Sequence, residues 1–156
     1  MEISIISFTR QGAKLSLTLA ELCRGQGCNT EAYSVRSDFC MKEIQPLNDT
    51  LRAWTECHFR EKDLLIFVGA CGIAVRSIAP FLQSKYSDPG VIVTDDKGQN
   101  MISLLSGHLG GANDWARLLA DKLSANPVIT TASDIHQKLA LDLFAANNQL
   151  HITDRK

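Results

Sequence analysis

Two glycine-rich segments, Gly69-Ala-Cys-Gly72 and Ser106-Gly-His-Leu-Gly-Gly111, hold most of the residues whose types and spacing could do chemistry. Each lies between an apolar run and a helical pattern, where backbone N–H groups and the helix dipole favour a carboxylate or a phosphate. Neither fits G-x-x-x-x-G-K-[ST] or a complete G-x-G-x-x-G, so a nucleotide has weak support, and tight strand-to-helix packing accounts for such glycines as well. His108, inside the second segment, is the most plausible general acid or base of the chain; a capping or packed histidine is the alternative. Ser106 is a candidate nucleophile, although no Gly-x-Ser-x-Gly elbow surrounds it. Cys71 stands at a helix start that could lower its pKa, and a small residue at a tight turn explains it too. Arg76 falls one turn into the following helix. Lys85 and Asp88 lie just past that helix as a charged group, with a solvated salt bridge as the alternative. Asp95 and Asp96 suit a turn, because Asp bonds readily to its own backbone.

Several functional classes are disfavoured by composition. With 16 basic and 17 acidic residues the net charge is −1, and no Lys/Arg run forms a footprint for phosphates, so nucleic acid is not an expected partner. Apolar stretches such as Leu64 to Val68 are far shorter than the ~20 residues of a spanning helix, and no leader pattern opens the chain, which points to the cytoplasm and away from membranes. Five cysteines without a C-x-x-C pair read as reduced thiols, and the four histidines lack ligand spacing, so no protein-held metal is expected.

The elements that must position these residues follow from periodicity. Residues 2–8 read as a strand and 11–24 as a helix, with Leu15, Leu19 and Leu22 at helical spacing. A short strand over 31–35 comes next, then a weaker helical stretch over 41–59 interrupted near Pro46. Leu64-Leu-Ile-Phe-Val68 has the unbroken apolar pattern of a strand covered on both faces. A helix over 73–82 follows, with Pro80 in its last turn. Val91–Thr94 and Met101–Leu105 flank Asp95-Asp-Lys-Gly98 as a hairpin. A helix reaches Leu123 with a stripe of Leu109, Ala112, Ala116, Leu119 and Leu123, and Asn126-Pro127 ends it. Val128–Thr131 reads as a strand, and Ser133 or Asp134 as the cap of a last helix ahead of a frayed tail. The 156 residues thus predict a single α/β domain: a three-layer α/β/α sandwich with a mixed, mostly parallel sheet containing one β-hairpin. A right-handed crossover from Val68 to Val91 puts residues 69–72 and 95–98 on one sheet edge and 106–111 and 130–134 on the other.

In order and spacing, Gly69-Ala-Cys-Gly-Ile-Ala-Val-Arg-Ser-Ile-Ala-Pro80, Ser87-Asp-Pro89, Leu104-Leu-Ser-Gly-His-Leu-Gly-Gly-Ala-Asn113 and Val128-Ile-Thr-Thr-Ala-Ser-Asp134 resemble the N-terminal domain of CbiG, the cobalt-precorrin-5A hydrolase family of anaerobic cobalamin (vitamin B12) biosynthesis. The resemblance is strongest over 64–134. It implies hydrolytic opening of the ring A δ-lactone of cobalt-precorrin-5A, with acetaldehyde and cobalt-precorrin-5B as products. Cobalt then arrives with the tetrapyrrole substrate, and no cofactor is held by the protein.

On this resemblance, the reaction needs an activated water, an oxyanion partner and a proton carrier. His108 is the expected proton carrier, with Ser106 as a second catalytic candidate. The substrate's many carboxylates are expected to meet the turns at Gly69, Cys71, Gly72, Gly107, Gly110 and Gly111 together with Arg76 and Lys85. Asn113, Thr130 and Thr131 would add neutral hydrogen bonds. Family members also carry a C-terminal domain. This chain stops at Lys156, so that domain is expected to be absent and a natural covalent partner. The alternative is a non-catalytic tetrapyrrole-binding module, and a homo-oligomer is compatible with either reading.

Overall fold

The computed structural model describes residues 1–39 and 41–132. Seven strands, β1 (Glu2–Ser7), β2 (Asn29–Ser34), β3 (Ile44–Pro46), β4 (Leu64–Val68), β5 (Gly90–Thr94), β6 (Asn100–Leu105) and β7 (Asn126–Val128), form one sheet in the order β3-β2-β1-β4-β5-β6-β7. The first five run parallel; β6 turns back antiparallel to β5, and β7 runs alongside β6. Helices α1 (Arg10–Gly25) and α4 (Ala112–Leu123) cover one face, and α2 (Leu51–Glu61) and α3 (Cys71–Ile78) the other. This is the predicted three-layer α/β/α arrangement with its hairpin.

The run Leu64–Val68 has no polar position because both of its faces are covered. Leu64, Ile66 and Val68 join Ile3, Ile5, Leu19 and Leu119 in one core, while Leu65 and Phe67 join Ile6, Phe59, Ile78 and Val93 in the other. Strand side chains alternate faces, so a single apolar run feeds two cores. Helix α1 is capped by Thr9, whose hydroxyl accepts from Gly12 N–H at 2.9 Å. Its buried stripe is small, with Gly12, Ala13, Ser16, Ala20 and Cys23 around Leu19, which draws the helix backbone close to β4. The expected leucines Leu15 and Leu22 sit half-buried at the sides of that stripe. Burial pushes the Cys23 thiol up to about 12, with Cys28 adding to the rise. Cys23, Cys28, Cys57 and Cys71 are free thiols.

Four expectations are corrected. The helix expected over 41–59 is two elements, a strand at Ile44–Pro46 paired to β2 and a helix that begins only at Leu51, capped by Thr50. Proline ends helices but is tolerated on a sheet edge, and β3 is an edge. Helix α3 stops at Ile78, and Ala79–Phe81 tighten into a 3-10 turn around Pro80. Asn126-Pro127 does not end α4; Ser124, in left-handed conformation, does that. The two residues instead open β7, which closes at Val128 rather than reaching Thr131. The helix expected after Ser133 and the cysteine at 40 lie outside the described residues.

None of the described helices is long and apolar enough to cross a membrane. Truncating a fully buried side chain of the core beneath α2 and α3 is the sharpest check on this packing. Phe67→Ala is expected to cost about 3–5 kcal/mol of unfolding free energy in urea titrations, whereas Val75→Ser on the exposed side of α3 should stay within about 0.5 kcal/mol.

Candidate functional site

The loop from Ser106 to Gly111 leaves the end of β6 and returns directly into α4. Because β6 is antiparallel to β5, this loop lies beside Gly90, at the start of β5. Contact there is between backbones: a Cβ added to Gly110 would lie 2.7 Å from Gly90 N and 2.6 Å from Ser106 Cβ, and one added to Gly90 would lie 2.5 Å from Gly110 O. Only glycine permits this approach from either side. Ser106 adopts φ 51, a left-handed conformation unusual for a residue with a side chain, and its buried Oγ has no partner among the described residues. The Gly111 N–H donates to His108 O at 3.0 Å, closing a tight turn that His108 opens and that has Leu109 and Gly110 at its tip.

A second loop faces this tip. After Phe81 the chain turns through residues 82–89, and the Asp88 carboxylate accepts from the backbone N–H groups of Gln83 and Ser84 at 3.1 to 3.2 Å. Asp88 therefore shapes the loop that carries Lys85, instead of serving as its salt-bridge partner. The Lys85 ammonium stands 5.0 Å from the centre of the Tyr86 ring. The third wall comes from the segment after β7, where Asn113 Nδ2 donates to Thr131 Oγ1 at 2.7 Å.

Lys85, Ser106, Gly107, His108, Leu109 and Thr131 enclose a surface pocket of about 280 Å³. It joins an ammonium, an imidazole and a hydroxyl, a set suited to holding carboxylates and to moving a proton. Among the described residues no three His, Cys, Asp or Glu side chains come together as a metal site.

The remaining predicted residues lie elsewhere. Gly69, Cys71 and Gly72 are at the opposite sheet edge, one five-residue strand or about 16 Å away. There Gly69 N–H donates to Thr94 O at 2.8 Å, and the Phe8 ring lies against Gly69. Arg76 folds back to donate to Gly72 O at 3.2 Å and lines a separate groove with Leu51, Arg52 and Pro80. Thr130 is exposed and Gly110 and Gly111 are framework, so none of the three lines the pocket. Nor is the start of α4 an open anion site: the Ala112 and Asn113 N–H groups donate to the carbonyls of Ser106 and Gly107, at 3.4 and 2.9 Å. At the hairpin, burial alone would raise the Asp95 carboxyl, but backbone donors at Gln99, Asn100 and Lys97 outweigh it and hold the group below the usual range. Asp95 is thus satisfied by its own turn. Sequence reasoning missed Gly90, Leu109 as a pocket wall, and Asp88 as the clasp of the Lys85 loop; the Ser87-Asp-Pro89 motif was the signal for the last.

The family model described as Cobalamin synthesis G N-terminal matches residues 53–134, just over half of the chain. The chain belongs to this family. The matched span contains every residue of the pocket. A cobalt-precorrin-5A hydrolase of Priestia megaterium is 36% identical over 143 residues, covering 92% of this chain and 38% of the relative. The cobalt-precorrin-5A hydrolase of Salmonella typhimurium is 54% identical over 90 residues, 58% of this chain and 26% of the relative. The crystal structure of a cobalamin biosynthesis protein G homolog from Sulfolobus solfataricus superposes with a TM-score of 0.65 at 25% identity, covering 96% of this chain and 45% of that one. The chain therefore spans well under half the length of the relatives it matches.

For this CbiG N-terminal fold, the Gly90 and Gly110 contact makes a direct prediction. Gly110→Ala has only backbone and Ser106 to push against, and should lower stability by about 1–3 kcal/mol while loosening the His108 turn. Gly25→Ala, where an added Cβ meets nothing within 4 Å, should raise stability by up to about 1 kcal/mol in the same thermal or urea scan.

Proposed function

We propose that this chain supplies the substrate-holding and proton-moving part of a cobalt-precorrin-5A hydrolase, with the pocket between Lys85, His108 and Thr131 as its working surface. The observation that carries the reading is convergence: three sequence-distant segments of the matched family span meet at one pocket and place a cation, an imidazole and a hydroxyl in it. On this reading the Lys85 ammonium holds a peripheral carboxylate of the tetrapyrrole. Water adds to the lactone carbonyl and the ring C–O bond breaks, giving a carboxylic acid and an alcohol. His108 takes the alcohol proton, the carbon–carbon bond breaks to release acetaldehyde, and the electron pair left on the macrocycle carbon takes up a proton. Ser106 lines the same pocket and is the second candidate, although its buried Oγ would have to turn toward the opening to bond the reacting oxygen. Cobalt enters and leaves with the substrate. The same reading places the chain in the cytoplasm, and it takes the remaining length of the relatives as the natural neighbour of this domain.

Incubation with cobalt-precorrin-5A and detection of acetaldehyde tests the assignment. Release of acetaldehyde supports the hydrolase; binding without release supports a tetrapyrrole-binding module, and neither outcome sinks both. In an active preparation, His108→Ala is expected to lower kcat by about 10²-fold with an unchanged unfolding midpoint. Retained turnover would remove His108 as the proton carrier.

A further inference from the structure

Asn113 is polar yet only 3% exposed, and it holds two family motifs together. Its backbone N–H donates to Gly107 O at 2.9 Å, and its side-chain amide rests so close to Gly107 that an added Cβ there would meet Oδ1 at 2.5 Å. From the same amide, Nδ2 donates to Thr131 Oγ1 at 2.7 Å. A hydroxyl has one proton to give and two lone pairs with which to accept. With an Asn113 proton occupying a lone pair of Thr131, the hydroxyl proton is turned away from the amide, and Thr131 lines the pocket with Lys85 and His108.

We propose that Asn113 is a positioning residue that makes Thr131 a fixed hydrogen-bond donor into the pocket, selecting a ligand that presents an oxygen acceptor between Lys85 and His108. The inference rests on the functional reading above and deepens it: the acceptor is a carboxylate or lactone oxygen on the rim of the macrocycle. Asn113 itself does not touch the ligand. Its amide packs against Gly107 and donates to Thr131, and Asn113 is not among the pocket's lining residues, so the sequence expectation that it bonds substrate is replaced by an indirect role. The geometry also separates Thr131 from Thr130, which is exposed and does not line the pocket. The two adjacent threonines are thereby unequal.

The test uses the chain in its active form, with cobalt-precorrin-5A as the probe, and reads Kd from absorbance titration alongside KM, kcat and thermal midpoint. Thr131→Val, which keeps shape and removes the hydroxyl, should weaken binding and raise KM about tenfold with kcat within about twofold. Thr131→Ser restores the hydroxyl and should bind within about threefold of wild type. Thr130→Val should change neither constant. Asn113→Asp keeps the shape but replaces the donor by a carboxylate that accepts the Thr131 proton, so it should weaken binding at least as much as Thr131→Val. Equal affinity of Thr131→Val and wild type, or failure of Thr131→Ser to recover binding, overturns the donor role. An Asn113→Asp variant that binds like wild type overturns the positioning role. Wild-type chain that neither binds nor releases acetaldehyde overturns the functional reading, and this donor with it, whereas normal wild-type turnover with indifferent Thr131 variants overturns the donor alone.

Discussion

Gly90 and Gly110 touch through their main chains, and nearly everything at the pocket depends on that contact. A methyl group on either residue would fall inside 2.8 Å of the other's backbone. The contact seats the Ser106–Gly111 loop on the sheet edge where β5 begins, so the loop takes its position from the sheet as well as from the two elements it joins. It also accounts for the left-handed Ser106: Gly110 packs against the Ser106 Cβ and carbonyl, and the surrounding contacts hold a conformation that an isolated serine avoids. Strain of this kind persists only where neighbours over-determine it, and here those neighbours also aim the His108 turn.

The direction of β6 decides which residues can cooperate. Open α/β sheets usually gather ligand-binding loops at the carboxyl ends of their parallel strands. Here the loop bearing His108 follows a strand that runs the other way, so it emerges at the amino ends of β1, β4 and β5. The turn at Gly69 stays at the carboxyl ends. The family motifs are thus sorted into two groups a full strand length apart, and Arg76 belongs to neither pocket wall nor loop tip. An extended, many-armed ligand could be sensed at one edge only by these residues, which confines the described chemistry to Lys85, Ser106, His108 and Thr131.

What the sequence made legible was set by range. Leu64–Val68 was readable because covering both faces of a strand leaves no polar position, and the β5–β6 hairpin because Asp95 and Gly98 fit a turn at fixed local spacing. The edge strands were not readable: β3 and β7 have three residues each and contain Pro46 and Pro127, too short for alternation and carrying a residue that ordinarily signals a break. The split between sheet edges was deducible, since it needs only crossover handedness and the hairpin. The Gly90 to Gly110 contact and the Asn113 to Thr131 bond were not, because 20 and 18 positions separate the partners and nothing local marks them. Asp88 shows the converse error. Its nearness to Lys85 read as a charged group, with a salt bridge as the alternative, but two backbone N–H groups fixed by the turn are available to it without the entropy of ordering a lysine.

These contacts also bear on where an affinity of the pocket for anions would originate. A glycine-rich bend before a helix suggests an amide cradle, in which peptide dipoles do the binding. In this loop the Gly111, Ala112 and Asn113 amides are already donated to carbonyls, and Asp114 occupies the first turn of α4, where it claims the favourable end of the dipole. At Gly90 and Gly110 the missing side chain brings two backbones together. On the proposed reading, recognition of an acidic ligand at this edge falls largely to side chains, with Lys85 as a point charge on a loop fastened by Asp88, and the Thr131 hydroxyl as a donor positioned by Asn113. The first contributes attraction with little geometry and the second geometry with little attraction. A pocket built this way can accept many carboxylates electrostatically while orienting only one whose oxygen also reaches the hydroxyl.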